Sequence, residues 1–260
     1  PDMERAMARI RCAIDARELI AVFGDSDADG ITASVIVYEA LASMGARVVV
    51  HVSNRIADGY GLPSALTPEL KRSGVALLIL VDCGTNQAED IRLLAQQGID
   101  TIVLDHHVPM KSAAEPAALV NPHCGDGPGR GLCSAGLAVK LSQALFEGDP
   151  DRVGRMLDLA ALGTLADYVP LVGDNRVIVT EGLPRVLRSL RPGLRRLCES
   201  LRLTQPSPDQ MLGKLVPKLN AAGRLGDARP VWDLLAEAAQ ETERLMALVD
   251  EAHHTTKALS

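Results

Sequence analysis

Acidic and imidazole side chains gather at three places in the chain. Asp25, Asp27 and Asp29 alternate through VFGDSDADG, Asp82 closes LILVDCG, and Asp105, His106 and His107 close TIVLDHH. Carboxylates with a minority of imidazoles suit oxygen-seeking divalent cations such as manganese or magnesium, whereas closed zinc sites lean on sulfur and nitrogen. So many like charges in one place are costly unless cations neutralise them. A pair of divalent ions is the chemistry these residue types point to, provided the fold brings them together.

The elements that would do so are legible as apolar runs. Leu19 to Phe23, Arg47 to Val52, Ala76 to Val81, Thr101 to Leu104 and Ala118 to Val120 are short and β-rich, with helical patterns at about 31–44, 63–73 and 86–97 between them and another before the first strand. That alternation predicts βαβ units, a doubly wound and mainly parallel five-stranded sheet in an α/β fold. All three acidic clusters then lie at carboxyl ends of strands, where open α/β sheets bind ligands. NPHCGDGPGRGLC at 121–133 reads as a surface loop. Beyond it the pattern is helical at 134–147, 151–166, 174–190, 192–201 and 230–258, with Ser134 as the expected N-cap of the first. The expected organisation is an α/β part over 1–133, a helical part over 134–229 that completes the site, and a long connector helix over 230–260.

Other readings of the clusters fare less well. Asp-x-Asp-x-Asp-Gly also opens an EF-hand calcium loop, but that loop needs a glutamate at its twelfth position, which here is Ile36. A loose resemblance to the Asp-x-Asp-Gly start of haloacid-dehalogenase phosphatases leaves Asp105, His106 and His107 unexplained. Asp82 alone would be an ordinary strand-ending turn residue. His123, in the glycine-rich loop, and His253 and His254, in the helical tail, lack acidic strand-end company and are expected to be structural or solvent-exposed. The five cysteines are scattered without a C-x-x-C pair and read as reduced thiols.

Charge is unevenly spread. The net charge is −6, yet residues 183–229 hold ten basic and three acidic side chains, which permits a phosphate-binding face. Aromatics are only 2% of the chain, too few for a binding surface built on stacked rings. No apolar run approaches a membrane span and no signal-peptide layout is present, so the expected location is the cytoplasm.

In these motifs the sequence resembles the DHH phosphoesterase family, and within it the RecJ-like branch. Asp105-His106-His107 is the signature that names the family. GDSDADGITAS, VDCGTN and ALGTLADYVPL match further motifs, while PKLNAAGRLGDA (217–228) and NRIADGYGL (54–62) are similar to RecJ-like segments. The resemblance implies two Mn2+ or Mg2+ ions held by Asp25, Asp27, Asp29, Asp82, His106 and Asp167, with Asp82 as the bridge. It implies that Asp105 orients a neighbouring imidazole and that His107 faces the substrate phosphate. Arg224 is a candidate for stabilising the phosphoryl oxygens, and Arg55, Asn220 and the amides near Ser134 are further substrate-contact candidates.

The implied activity is two-metal hydrolysis of single-stranded DNA, 5′ to 3′, releasing mononucleotides, with an RNA oligonucleotide as an alternative substrate and no membrane partner. Relatives in the family also degrade short RNA, cleave cyclic dinucleotides or hydrolyse pyrophosphate, and some RecJ-like domains serve as non-catalytic scaffolds. Retention of every candidate ligand favours an enzyme. Two departures stand out. Ser26 occupies a position where RecJ-like first motifs usually carry an aromatic, and the C-terminal DHH-associated domain, with its glycine-rich, histidine-containing motif, has no counterpart here. That missing half is expected from a further segment or a partner.

Overall fold

The computed structural model describes residues 2–59, 61–63, 65–110, 115–125, 129–236 and 241–258. Parts of the expected loops at 54–62 and 121–133 and of the expected helices at 63–73 and 230–258 therefore lie outside the described residues. The first half contains α1 (Met3–Asp15), β1 (Leu19–Gly24), α2 (Ala28–Ser43), β2 (Arg47–Val52), α3 (Arg55–Asp58), α4 (Leu66–Arg72), β3 (Val75–Val81), α5 (Ala88–Gln96), β4 (Asp100–Leu104) and β5 (Ala118–Val120). All strand pairs are parallel, in the order β2-β1-β3-β4-β5.

The doubly wound architecture follows from period-two alternation in the central strands. Ile20, Val22, Leu77, Ile79 and Val81 face a large core shared with α1, α2 and the later helices. Ala21, Phe23, Leu78 and Leu80 face a smaller one closed by Leu66 and Leu70 of α4 and Ile91 and Leu94 of α5. Strands buried on both faces must be apolar throughout, which is why LIAVF and VALLILV carry no polar residue. The chain winds from β1 outward to β2, then returns to place β3 on β1's other side. The crevice opens at that reversal, between the carboxyl ends of β1 and β3.

The second half is helical: α6 (Ser134–Leu145), α7 (Pro150–Gly154), α8 (Leu157–Ala166), α9 (Gly173–Val186), α10 (Pro192–Ser200), α11 (Pro208–Gln210), a π-helical turn at Met211–Leu215, α12 (Val216–Arg224), α13 (Arg229–Ala236) and α14 (Thr242–Ala258). Several sequence-based boundaries change. The single helix expected at 151–166 is two, because Gly154 ends α7 after one turn opened by Pro150. Of the helix expected over 230–258, the described residues form α13 and α14. The helix α12 was not expected at all. Pro217 is the second residue of α12, directly after the π-helical turn, where the regular i→i−4 ladder is already interrupted.

The basic stretch does not form one phosphate-facing surface. Arg191 is buried and pairs with Glu39 and Asp158, Arg196 with Glu199 and Glu243, Lys218 with Asp250, and Arg229 with Asp233. Helix packing consumes much of that positive charge. No helix among the described residues is long and apolar enough to cross a membrane.

Candidate metal centre

Each strand delivers a polar residue to the crevice at the position immediately after it. Ser53 follows β2, Asp25 follows β1, Asp82 follows β3, Asp105 follows β4 and Asn121 follows β5. The parallel ladder runs one step into this row: the amides of Asp25, Asp82 and Asp105 donate to the carbonyls of Val81, Leu104 and Val120 at 3.3, 3.0 and 3.2 Å. The side chains therefore start from neighbouring strands at sheet spacing. Asp82 takes a left-handed backbone, φ 64°, a conformation that aspartate tolerates better than most residues and that often marks a functional position.

The loop after β1 turns directly into α2. Asp27 is the N-cap, its Oδ1 accepting from the Gly30 amide at 3.0 Å, so Asp29 lies inside the helix and not in a loop. A second helix N-terminus meets it. The amides of Ser134 and Ala135 donate to Oδ2 and Oδ1 of Asp29 at 2.8 and 2.9 Å, and the Ser134 hydroxyl donates to Oδ1 of Asp82 at 2.9 Å. The N-cap of α6 is Cys133, not Ser134, which is the helix's first residue. These amides hold a carboxylate of the protein itself, so they are not open phosphate contacts as the sequence suggested.

Asp167 arrives as the C-cap of α8. The approach depends on Gly163, where a Cβ would lie 2.5 Å from Ala135 Cβ and 2.8 Å from Asp29 Oδ1. The His106 ring lies between the clusters, with Nε2 3.3 Å from Asp82 Oδ1 and 3.9 Å from Asp29 Oδ2, and Nδ1 3.7 Å from Asp167 Oδ2. Three overlapping groups have ligand atoms within 4.8 Å of one another: Asp29, His106 and Asp167; Asp25, Asp27 and Asp82; and Asp82, His106 and His107. Asp82 belongs to two of them, the placement a bridging carboxylate needs.

Electrostatics argue for missing positive charge. Burial drives the Asp82 carboxyl well above its ordinary range, and repulsion from Asp29, Asp27, Asp25 and Asp105 adds to it. Burial pushes Asp29 up to about 6, although His106 and the Ala135 amide pull the other way. Asp167 is raised as well, again mainly by burial. Carboxyls whose ionisation is opposed by burial and by one another are what divalent cations would ionise and hold.

Two of the predicted residues behave differently. Asp25 is held below its ordinary range, because Arg55, Ser26 and Ser53 together outweigh burial. Its Oδ1 accepts from the Ser26 amide at 2.6 Å, Ser53 Oγ at 2.8 Å and Arg55 Nε at 3.0 Å, and Arg55 Nη2 grips Oδ2. Arg55 also reaches Asp27 Oδ2 at 3.1 Å, so a cation using Asp25 would compete with Arg55 for it. Asp105 is held down to about 2: burial opposes its ionisation, but His107 and Thr85 outweigh it. It orients His107, whose Nδ1 is 2.7 Å away, and this contact raises the imidazole's pKa against the effect of burial.

Asn220 does not point its carbonyl at open solvent; Oδ1 accepts from the Ala28 amide at 2.7 Å. Arg224 ends α12 exposed, with no ion pair or hydrogen bond among the described residues. Ser53, Thr85 and Asn121 were missed by sequence reasoning. The Thr85 amide donates to Asp105 Oδ2, and Asn121 Nδ2 donates to Thr85 Oγ1 and to the His107 carbonyl, both at 2.8 Å. The strand-end rule that found the acids would have found Ser53 and Asn121 had it been applied to uncharged residues. All five cysteines are free thiols.

The comparisons with known proteins agree with this geometry. The family model described as "DHH family, N-terminal domain" matches residues 19–164. The chain is 36% identical over 255 residues to the single-stranded-DNA-specific exonuclease RecJ of Bacillus subtilis, covering 96% of this chain and 32% of that protein. It is 37% identical to the RecJ of Thermus thermophilus over 96% of this chain and 37% of the relative. Among solved structures, exonuclease RecJ bound to manganese superposes with a TM-score of 0.87 at 34% identity, over 98% of this chain and 65% of that one. The Thermus thermophilus RecJ in complex with Mn2+ gives 0.82 at 33% identity, over 97% and 37%. The chain spans about a third of the length of these two curated relatives. With the family match running from the first strand into α8 and the signature acids converging in one crevice, the chain belongs to the DHH family.

Proposed function

We propose that this chain carries the hydrolytic centre of a RecJ-like exonuclease that acts on single-stranded DNA, removing mononucleotides in the 5′ to 3′ direction. The observation that carries the reading is the convergence of Asp82 and His106, each in two of three overlapping candidate ligand groups, between strands β1 and β4. Asp27, Asp29, Asp82, His106 and Asp167 are the proposed ligands of two Mn2+ or Mg2+ ions, and Asp25 would join them in competition with Arg55. The manganese-bound relatives support this choice of ion. Bound there, the ions would supply an activated water and neutralise the leaving oxygen.

The chain's own side chains do the remaining work. Asp105 fixes the His107 ring and favours its protonated form, so His107 presents a donor to a phosphate oxygen. Arg224 offers a guanidinium whose planar fork matches a phosphate. Arg55, at the rim on Asp25 and Asp27, is placed to exchange a carboxylate partner for a phosphate one.

The test is hydrolysis of 5′-labelled single-stranded DNA, a short RNA and pyrophosphate, each with manganese and with chelator. Metal-dependent release of mononucleotides from the DNA is expected. Cleavage of pyrophosphate alone would end the nuclease reading.

A further inference from the structure

Helix α12 lies across the loop that carries the first metal motif. Asn220 Oδ1 accepts from the Ala28 amide at 2.7 Å. One turn on, Gly223 backs onto Ser26 so closely that a Cβ would stand 2.4 Å from the Ser26 carbonyl oxygen. Ser26 is 2% exposed, so the loop is pressed between α12 and the sheet. The outer side of α12 is anchored too: Lys218, 4% exposed, pairs with Asp250 of α14 and reaches Ser200 Oγ at 3.5 Å.

Ala28 stands between Asp27 and Asp29, and its amide is one of the first-turn donors of α2 that have no partner within the helix. Asp27 Oδ1 already serves the Gly30 amide. An unsatisfied Ala28 amide would recruit a neighbouring carboxylate and so compete directly with a cation for it. An acceptor from outside the cluster avoids that, and the side-chain oxygen of Asn220 supplies one.

We propose that Asn220 is a positioning residue of the metal centre: by satisfying the Ala28 amide, it fixes the first turn of α2 and thereby the relative placement of Asp27 and Asp29. The inference rests on the metal-centre reading above. It gives the NAAGR segment a task distinct from phosphate contact, with Asn220 and Gly223 bracing the loop and Arg224 left for substrate.

The experiment is Mn2+ titration by calorimetry on the full chain and on Asn220→Ala, Asn220→Leu, Asn220→Asp and Asp82→Asn, with chelator-treated thermal melts alongside. Leu keeps the volume and loses the acceptor; Asp keeps the acceptor. Asn220→Ala and Asn220→Leu are expected to weaken Mn2+ binding by about tenfold, in the range typical of residues that orient metal ligands. Asn220→Asp should return it to within roughly threefold of wild type. Wild-type affinity in Asn220→Leu, or an Asn220→Asp variant as weak as Asn220→Leu, would overturn the proposal. If Asn220→Ala fails to fold, the near-isosteric Leu and Asp variants still decide it. Wild-type Mn2+ binding by Asp82→Asn would instead remove the metal-centre reading itself.

Discussion

Ser134 donates its hydroxyl to Asp82 and its backbone amide to Asp29, at 2.9 and 2.8 Å, so one residue at the start of α6 ties together acids that follow β1 and β3. A helix N-terminus favours nearby negative charge, and here it stabilises carboxylates that otherwise repel one another.

Ser134→Ala removes one donor from Asp82 while leaving the amide on Asp29. Mn2+ affinity should fall by roughly tenfold, as for other groups that orient metal ligands, with little change in the melting temperature of the metal-free protein. Calorimetric titration checks it. An unchanged affinity would show that the hydroxyl contributes nothing to the site.

Asp82→Asn keeps the shape and removes a group whose ionisation is opposed by burial and by its acidic neighbours. DNA hydrolysis should be lost. The metal-free protein should nevertheless be stabilised by about 1 kcal/mol or more, because the carboxylate it loses was desolvated and repelled. Melts in chelator should rise by roughly 2–4 °C, and the further rise on adding Mn2+ seen in the wild type should disappear. A less stable metal-free variant would contradict the repulsion argument.

The same crowding sets a pH dependence. The pKa values of Asp82 and Asp167 are raised above their ordinary values, and that of Asp29 is raised to about 6. Between the ordinary carboxyl pKa and those raised values the folded state binds more protons than the unfolded one, so stability falls as pH rises through that window. His107, also raised, contributes in the same direction: its stabilisation is present below the ordinary histidine pKa and is lost as pH rises through the folded value. Metal-free protein should melt lower at pH 8 than at pH 5.5, and saturating Mn2+ should flatten or reverse the slope. Flat melting temperatures in chelator across that range would refute it.

Arg191 tests a structural charge. It is buried between α10 and α8, its guanidinium paired with Glu39 and Asp158 and donating to the Leu235 carbonyl at 3.1 Å. Arg191→Ala leaves Glu39 and Asp158 without their counter-ion and should cost about 3–5 kcal/mol in urea unfolding. Hydrolysis per folded molecule should be unaffected, since the network lies toward the far end of α2 from the acids. A loss below about 1 kcal/mol would mean that solvent replaces the partner.

Much of the site was legible in the chain because its logic is local. An apolar run of strand length followed at once by an acid is a pattern within a few residues, and it recurs at Asp25, Asp82 and Asp105. Parallel pairing then brings those positions together without further instruction. The orienting role of Asp105 came from the family resemblance instead, and the imidazole it meets is that of His107, two residues away. Helix boundaries at Gly154 and Pro217 were harder. The same residue types end helices in one context and sit in a first turn in another, and packing against the core decides between them.

What the sequence determined by itself was the sheet, its order of strand-end acids and the class of ion they suit. Only the tertiary structure decided which partner each polar group takes. The Ser134 amide serves Asp29 from 105 positions away, Arg191 meets Glu39 across 152, and Asn220 reaches Ala28 across 192. No periodicity encodes such pairs. They form because α6 and α12 pack against α2, and α10 packs against α13, which itself lies on α2, and a buried polar group must then bond to whatever that packing places beside it.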